Sequence, residues 1–193
     1  MNITTVELTR VSDPSEIIGI RDLQELNLKQ NITAEEAIDQ GFLTAAYTKE
    51  YLHEMNSASP SIIAKDGDKV IGYALVATKE IRKGHDLIEG LFDAIDKCEY
   101  KGKLLRDTNY VVVGQLCVAK VYRGQDLVQK LYGHFRDCLS NEFTYLVTDV
   151  AKSNVRSLKA HKKRGFQVIN ELMYGGVGWD IVLWDWNEAD QNI

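Results

Sequence analysis

A chain of 193 residues, 45% hydrophobic, is long enough to fill one core and short for two domains, so a single domain over residues 1–193 is expected. A net charge of −5 argues against nucleic acid as a partner, because that binding is dominated by neutralising phosphates. No apolar run approaches the ~20 residues of a membrane span, the stretch Met1 to Val11 lacks the basic start and apolar run of a secretory leader, and three cysteines without metal-type spacing (Cys98, Cys117, Cys138) fit a reducing, cytoplasmic setting.

In chain order, Val6, Leu8 and Val11 fit a first strand. Asp13-Pro14 opens a helix with proline in its first turn and Ile17, Ile18, Leu23, Leu26 and Leu28 on its apolar side. Thr33-Ala34-Glu35-Glu36 reads as a capping box for a short helix ended by Gly41, and Thr48 to Met55 as another helix. Ser61–Ala64 and Val70–Ala77 are strands joined by the hairpin signal Asp66-Gly67-Asp68-Lys69. Leu87, Ile88, Leu91, Phe92 and Ile95 recur with helical spacing. Tyr110–Val118 is rich in β-branched residues and reads as a central strand. Leu127 to Leu139 is an amphipathic helix, Phe143–Val150 a buried strand, and Asn154–Gly165 a helix. Phe166–Met173 and Trp179–Trp186 are the last strands, joined across Gly175-Gly176-Val177-Gly178. This is a mixed α/β (α+β) order around one central sheet flanked by helices.

The segment Gln115 to Leu131, QLCVAKVYRGQDLVQKL, takes a buried strand through a short basic turn into a helix. The first turn of a helix leaves backbone N–H groups without internal acceptors, and the helix dipole adds partial positive charge there. With Arg123 beside it, such a turn suits a pyrophosphate; on its own it reads equally as an ordinary strand-to-helix turn. It lacks the glycines of a P-loop or a Rossmann fingerprint. A second unit, NVRSLKAHKKRGF, follows the next strand. Asn154 caps it, Gly165 ends it in the left-handed conformation, and Phe166 returns the chain to the core.

Together these two units resemble the GNAT superfamily of N-acetyltransferases. In that family a strand leads into a Q/R-x-x-G-x-G/A loop, and a second strand and helix carry N-x-x-A-x-x-x-Y-x-x-x-G-F. The first pattern falls on Arg123, Gly124, Gln125, Asp126, Leu127 and Val128; the second falls on Asn154, Ser157, His161, Gly165 and Phe166. The resemblance covers nearly the whole chain. It implies the acyl-CoA N-acyltransferase fold and acetyl-CoA as co-substrate, with the pyrophosphate on the backbone amides of Arg123–Val128. It further implies that backbone groups at Cys117 and Val118 meet the acetyl carbonyl and pantetheine, and that Asn154 and Ser157 lie in the cofactor-binding unit. Three features depart from the family pattern. Asp126 and Val128 stand where small residues are usual, His161 stands where a tyrosine protonates the departing thiolate, and a helical insertion occupies about 79–107.

Several residues keep two readings. Cys117 is a buried thiol or a nucleophile. His161 is a proton donor, since imidazole titrates near neutrality, or a partly buried histidine with no chemical role. Asp149 is the base that takes the amine's proton, or a solvent-facing or capping acid at a strand end. Gln115 holds a water on the central strand, or simply packs. The basic run Lys162-Lys163-Arg164 is accounted for by the helix dipole, and Trp179, Trp184 and Trp186 by core packing or a subunit contact. The insertion helix covers the acceptor pocket or forms a homodimer contact. Scattered His53, His85, His134 and His161 suggest no metal.

The resulting expectation is an enzyme that transfers acetyl from acetyl-CoA to a primary amine of a small molecule or peptide by direct attack. The rival from another class is a catalytically weak module that binds acyl-CoA or a protein. An α/β-hydrolase reading is disfavoured by the lack of a G-x-S-x-G elbow.

Overall fold

The computed structural model describes residues 6–33, 35 and 43–188. The short helix expected between Thr33 and Gly41 lies outside the described residues, save Thr33 and Glu35. Seven strands form one mixed sheet in the order β1-β2-β3-β6-β7-β9-β8, and the chain divides into two compact units, one of residues 1–76 and 114–135, the other of residues 77–113 and 136–193.

In the first unit β1 (Glu7–Arg10), β2 (Ile62–Asp66) and β3 (Lys69–Ala77) make an antiparallel meander. The Gly67-Asp68 turn between β2 and β3 has Gly67 at φ 59°, the backbone a two-residue hairpin demands. Helix α1 (Pro14–Asn27) starts with a full capping box: Asp13 accepts from the Ser15 amide, and the Glu16 carboxylate accepts from the amides of Ser12 and Asp13. Glu16 also takes an ion pair from Lys65 at 2.8 Å. Of the apolar residues assigned to this helix, Ile17 and Leu23 are buried, as is Leu28 just past its end, whereas Ile18 and Leu26 are exposed; Ile20 joins the buried stripe, which is narrower than the apolar content. Helix α2 (Lys49–Ala58) is capped by the Thr48 hydroxyl and buries Tyr51, Leu52 and Met55.

In the second unit the C-terminal strands carry the core. β6 (Tyr110–Val118) runs parallel to β7 (Tyr145–Ala151), with Tyr110, Val111 and Val112 opposite Tyr145, Leu146 and Val147. The buried carbonyl of Val113 then accepts from the Thr148 hydroxyl at 2.9 Å. β8 (Gln167–Tyr174) and β9 (Val177–Asp185) form a hairpin over Gly175 and Gly176, both left-handed.

The insertion belongs to this unit. It holds a 3-10 turn (Lys79–Gly84), helix α3 (Asp86–Ile95), a small hairpin of β4 (Glu99–Tyr100) and β5 (Lys103–Leu104), and a second 3-10 turn. Arg82 pairs with Asp93 and Asp96. The Tyr110 hydroxyl donates to Asp96 at 2.7 Å, and Lys101 reaches the buried Asp185 at 2.7 Å. These polar ties and the buried Ile88, Phe92 and Ile95 fix the insertion on its unit. Helix α4 (Leu127–Leu139) follows β6. Helix α5 (Val155–Arg164) follows β7. Among the described residues no helix is long and apolar enough to cross a membrane.

Helix α5 ends as its sequence dictates. Gly165 has φ 108°, and the Phe166 amide reaches back to the His161 carbonyl at 3.1 Å. A Cβ at Gly165 would stand 3.0 Å from Trp184 Nε1. Gly165→Ala is therefore expected to lower stability by about 2 kcal/mol, from strain at positive φ and from crowding the indole. Urea denaturation measures this, and an unchanged midpoint would contradict it.

Candidate functional site

The loop expected to hold the pyrophosphate lies in the first unit. A 3-10 turn, Lys120–Tyr122, leads from β6 into Arg123, Gly124, Gln125 and Asp126, and Leu127 opens α4. Gly124 has φ 79° and Asp126 φ 61°. Left-handed residues stand on both sides of Gln125, and alternation of this kind is a backbone feature of anion-binding turns. Asp126 stands where the family pattern has glycine, and the fold demands glycine-like backbone there. Its carbonyl accepts from the Lys130 amide at 3.1 Å and starts the helix. Asp126 is exposed, Leu127 is buried and Val128 is half-buried.

Arg123 does not simply point its charge at a ligand. Its Nε donates to the Val118 carbonyl at 3.1 Å, and an Nη donates to the Asn27 side chain at the end of α1. The guanidinium thus braces the loop against the strand that precedes it. The Gln125 side chain bonds back to the Val121 carbonyl at 3.1 Å, and the Tyr122 hydroxyl donates to Asp66. Cys117 and Val118 are both buried. Burial pushes the Cys117 thiol up to about 12, against an ordinary value near 9. It is a neutral thiol at physiological pH, so the nucleophile alternative loses its chemistry.

Gln115 carries two readings, a water holder on the central strand or a packing residue. Its side-chain carbonyl accepts from Gln24 at 2.8 Å and from the Tyr73 hydroxyl at 2.7 Å, while its amide donates to the Ala45 carbonyl at 2.8 Å. Tyr47 adds a bond to the Gly114 carbonyl at 3.2 Å. These groups tie α1, β3 and the segment before α2 to β6. The arrangement satisfies buried polar groups and makes Gln115 a positioning residue for the strand.

The other candidates lie in the second unit. Asn154 caps α5 by accepting from the Ser157 amide at 3.0 Å. His161, one turn later, is buried and stacks edge-on against Phe166 at 5.0 Å. Its Nδ1–H donates to the Ser157 carbonyl at 2.8 Å, and burial holds the ring below its ordinary pKa. A neutral imidazole whose proton is committed to its own helix is a poor acid. The geometry favours the packing alternative for His161 over the proton donor.

Asp149 departs furthest from its expected surroundings. It is half-buried on β7. It lines a cavity of about 210 Å³ in the second unit. Helix α3 supplies one wall with Leu87, Gly90, Leu91 and Ala94; β8 supplies another with Leu172, Met173 and Tyr174. Burial raises the Asp149 carboxyl from an ordinary value near 4 to about 6. An acid poised there is ionised at neutral pH and can take a proton. His161 does not line this cavity.

The sequence reading missed the cavity-facing side of α3. Ile88, Phe92 and Ile95 point into the core, while Leu87, Gly90, Leu91 and Ala94 follow the i, i+3, i+4, i+7 spacing of a second face. A glycine in mid-helix between leucines was the available signal, since helices disfavour glycine there.

Comparisons with known proteins agree with this geometry. The pattern of the acetyltransferase (GNAT) family matches residues 22–166. The ribosomal-protein-S18-alanine N-acetyltransferase from Escherichia coli superposes with a TM-score of 0.61 at 10% identity, over 94% of each chain. A putative acetyltransferase from Salmonella typhimurium, solved with its cofactor acetyl-CoA, gives 0.61 at 13% identity, again over 94% of each chain. Arabidopsis thaliana NAA60, in complex with acetyl-CoA, gives 0.62 at 16% identity, over 94% of this chain and 99% of that one. Among curated proteins no match was found. The family pattern spans three quarters of the sequence, from helix α1 through the loop at Arg123–Val128 to the Gly165-Phe166 helix end, and the chain belongs to the acetyltransferase (GNAT) family.

Proposed function

We propose that this protein is an N-acetyltransferase that moves the acetyl group of acetyl-CoA onto a primary amine by direct attack, with Asp149 as the base. The observation that carries the reading is the Asp149 carboxyl, set in an apolar cavity and raised to about 6 within a GNAT chain. The acetyl-CoA complexes among similar structures support the choice of co-substrate. The family match runs through both compact units, which supports treating the chain as one catalytic domain.

An alkylammonium loses its first proton only above pH ~10 in water. Beside a carboxylate in an apolar wall the ammonium is first held as an ion pair. Asp149 takes one proton from the ammonium, which frees the nitrogen lone pair to attack the thioester carbonyl, and the N–C bond forms; a second proton, made strongly acidic on the adduct's nitrogen, is the one the thiolate receives, and Asp149 releases its own to water. The C–S bond then breaks, and the thiolate takes up a proton to leave as CoA–SH. The balance is one ammonium and one acetyl thioester in, one amide, one thiol and one proton out. The amides of Gly124–Val128 hold the pyrophosphate, and Gln115 and Arg123 fix the strand and loop that carry the binding groups.

Calorimetry with acetyl-CoA followed by thiol release across an amine panel tests the reading. Binding with release supports it. Binding without release on any amine favours a binding module, and no binding sinks both. The pH profile adds a second check. Below about 6 Asp149 is protonated and can neither pair with an ammonium nor accept its proton. The limb of kcat/KM assigned to Asp149 should rise with pH, tenfold per unit, and level off above about 6. A profile flat from pH 5 to 7 would remove Asp149 from the mechanism.

A further inference from the structure

The walls of the Asp149 cavity are unequal in chemistry. Leu87, Leu91, Ala94, Leu172 and Met173 offer carbon and sulfur, and Asp149 is the one ionisable acid among the lining residues. The volume of about 210 Å³ is smaller than the ~300–1,000 Å³ of pockets that bury drug-sized ligands, which fits a compact body. A ligand with a single ammonium finds one carboxylate for it and apolar walls for the rest. A polycation would bring further charges to a lining that holds no second carboxylate for them.

Gly90 adds a second, independent observation. It sits in mid-helix on the face of α3 that lines the cavity, between Leu87 and Ala94. A Cβ built there meets nothing within 4 Å. No packing contact therefore requires glycine at this place, and its φ is not in the left-handed region. A helix loses about 1 kcal/mol to glycine relative to alanine. Gly90 is exposed, and its missing side chain leaves the cavity's edge open on this helix.

We propose that the acceptor is a primary monoamine with a compact apolar body, admitted to the cavity beside Asp149, and that Gly90 on the insertion helix sets the size it accepts. This deepens the acetyltransferase reading and rests on it. The shared chemistry is an ammonium on a compact apolar body, whether a free alkyl- or aralkylamine or a peptide N-terminus with an apolar first side chain. Met173 and Tyr174, 73% and 49% exposed, form an apolar rim where such a body enters.

The experiment uses the full chain with acetyl-CoA and reads thiol release against hexylamine, phenethylamine, a Met-initiated peptide, spermidine and an aminoglycoside. At least one of the first three is expected to exceed spermidine and the aminoglycoside at least tenfold in kcat/KM; which one leads separates a free amine from a peptide N-terminus. Spermidine or the aminoglycoside equal or better would overturn the inference and leave the acetyltransferase reading standing. Thiol release from no amine at all would remove both. Gly90→Leu should raise KM for the preferred amine at least tenfold with the acetyl-CoA Kd unchanged, and Gly90→Ala should affect large acceptors more than small ones while keeping the fold. If Gly90→Leu leaves KM unaltered in a protein whose melting temperature has not fallen, Gly90 does not set the size limit and the proposal fails.

Discussion

Asp149→Asn is expected to lower kcat/KM by 10²–10⁴-fold, leave the acetyl-CoA Kd within about twofold, and raise thermal stability. The activity loss follows from removing the base while keeping the shape of the side chain. The gain in stability follows from the direction of the pKa shift. The folded-state value of about 6 lies above the ordinary carboxyl value of 3.8. Between those values the folded chain binds more protons than the unfolded chain, so stability falls as pH rises through the window and stays low above it. At neutral pH the ionised Asp149 costs on the order of 2 kcal/mol, which an uncharged amide avoids. For a chain of this size that corresponds to a melting-temperature rise of several degrees. Differential scanning calorimetry at pH 7.5 and pH 4 separates the contributions, since wild type and variant should differ at the higher pH and converge at the lower. A variant that loses both activity and stability would instead mark Asp149 as a packing residue.

Substitutions at Asp126 should move cofactor affinity in opposite directions. Its φ of 61° belongs to a backbone region that aspartate tolerates, at a cost of about 1 kcal/mol, and that glycine adopts freely. The carboxylate also stands in a loop proposed to receive a pyrophosphate, where one like charge in water is worth about 1 kcal/mol at contact distance. Asp126→Gly removes both penalties, and acetyl-CoA is expected to bind 3- to 10-fold tighter, with the gain shrinking at high salt. Asp126→Val keeps the bulk and forces a β-branched residue into the left-handed region. Binding should weaken at least tenfold and stability should fall by 1–2 kcal/mol. Calorimetry at two salt concentrations decides. Weaker binding in Asp126→Gly, without loss of stability, would mean that the carboxylate contributes to holding the ligand.

What the sequence settled on its own were the features with local causes. The Asp66–Lys69 hairpin, the αL end of α5 at Gly165, the Asn154 cap, and the β-branched strand Tyr110–Val118 are each legible because the signal lies within a few residues of its effect. The family spacing from Arg123 to Phe166 added the likeness to acetyltransferases, since a motif compresses a tertiary site into sequence. Even the capping box at Asp13 and Glu16 was present in local form.

What only the tertiary structure decided was the direction and company of side chains. Arg123 is drawn to Val118 and Asn27, the latter 96 positions away, because an ion near buried carbonyls is best satisfied by them. Gln115 is bonded to Gln24, Tyr73 and Ala45, from three other stretches of the chain. His161 faces the Ser157 carbonyl of its own helix at 2.8 Å, and burial holds its pKa below the ordinary value. Asp149 became a cavity acid only because an insertion more than 50 residues earlier in the chain walls it off. Desolvation is a property of everything packed around a group, and no local pattern encodes it.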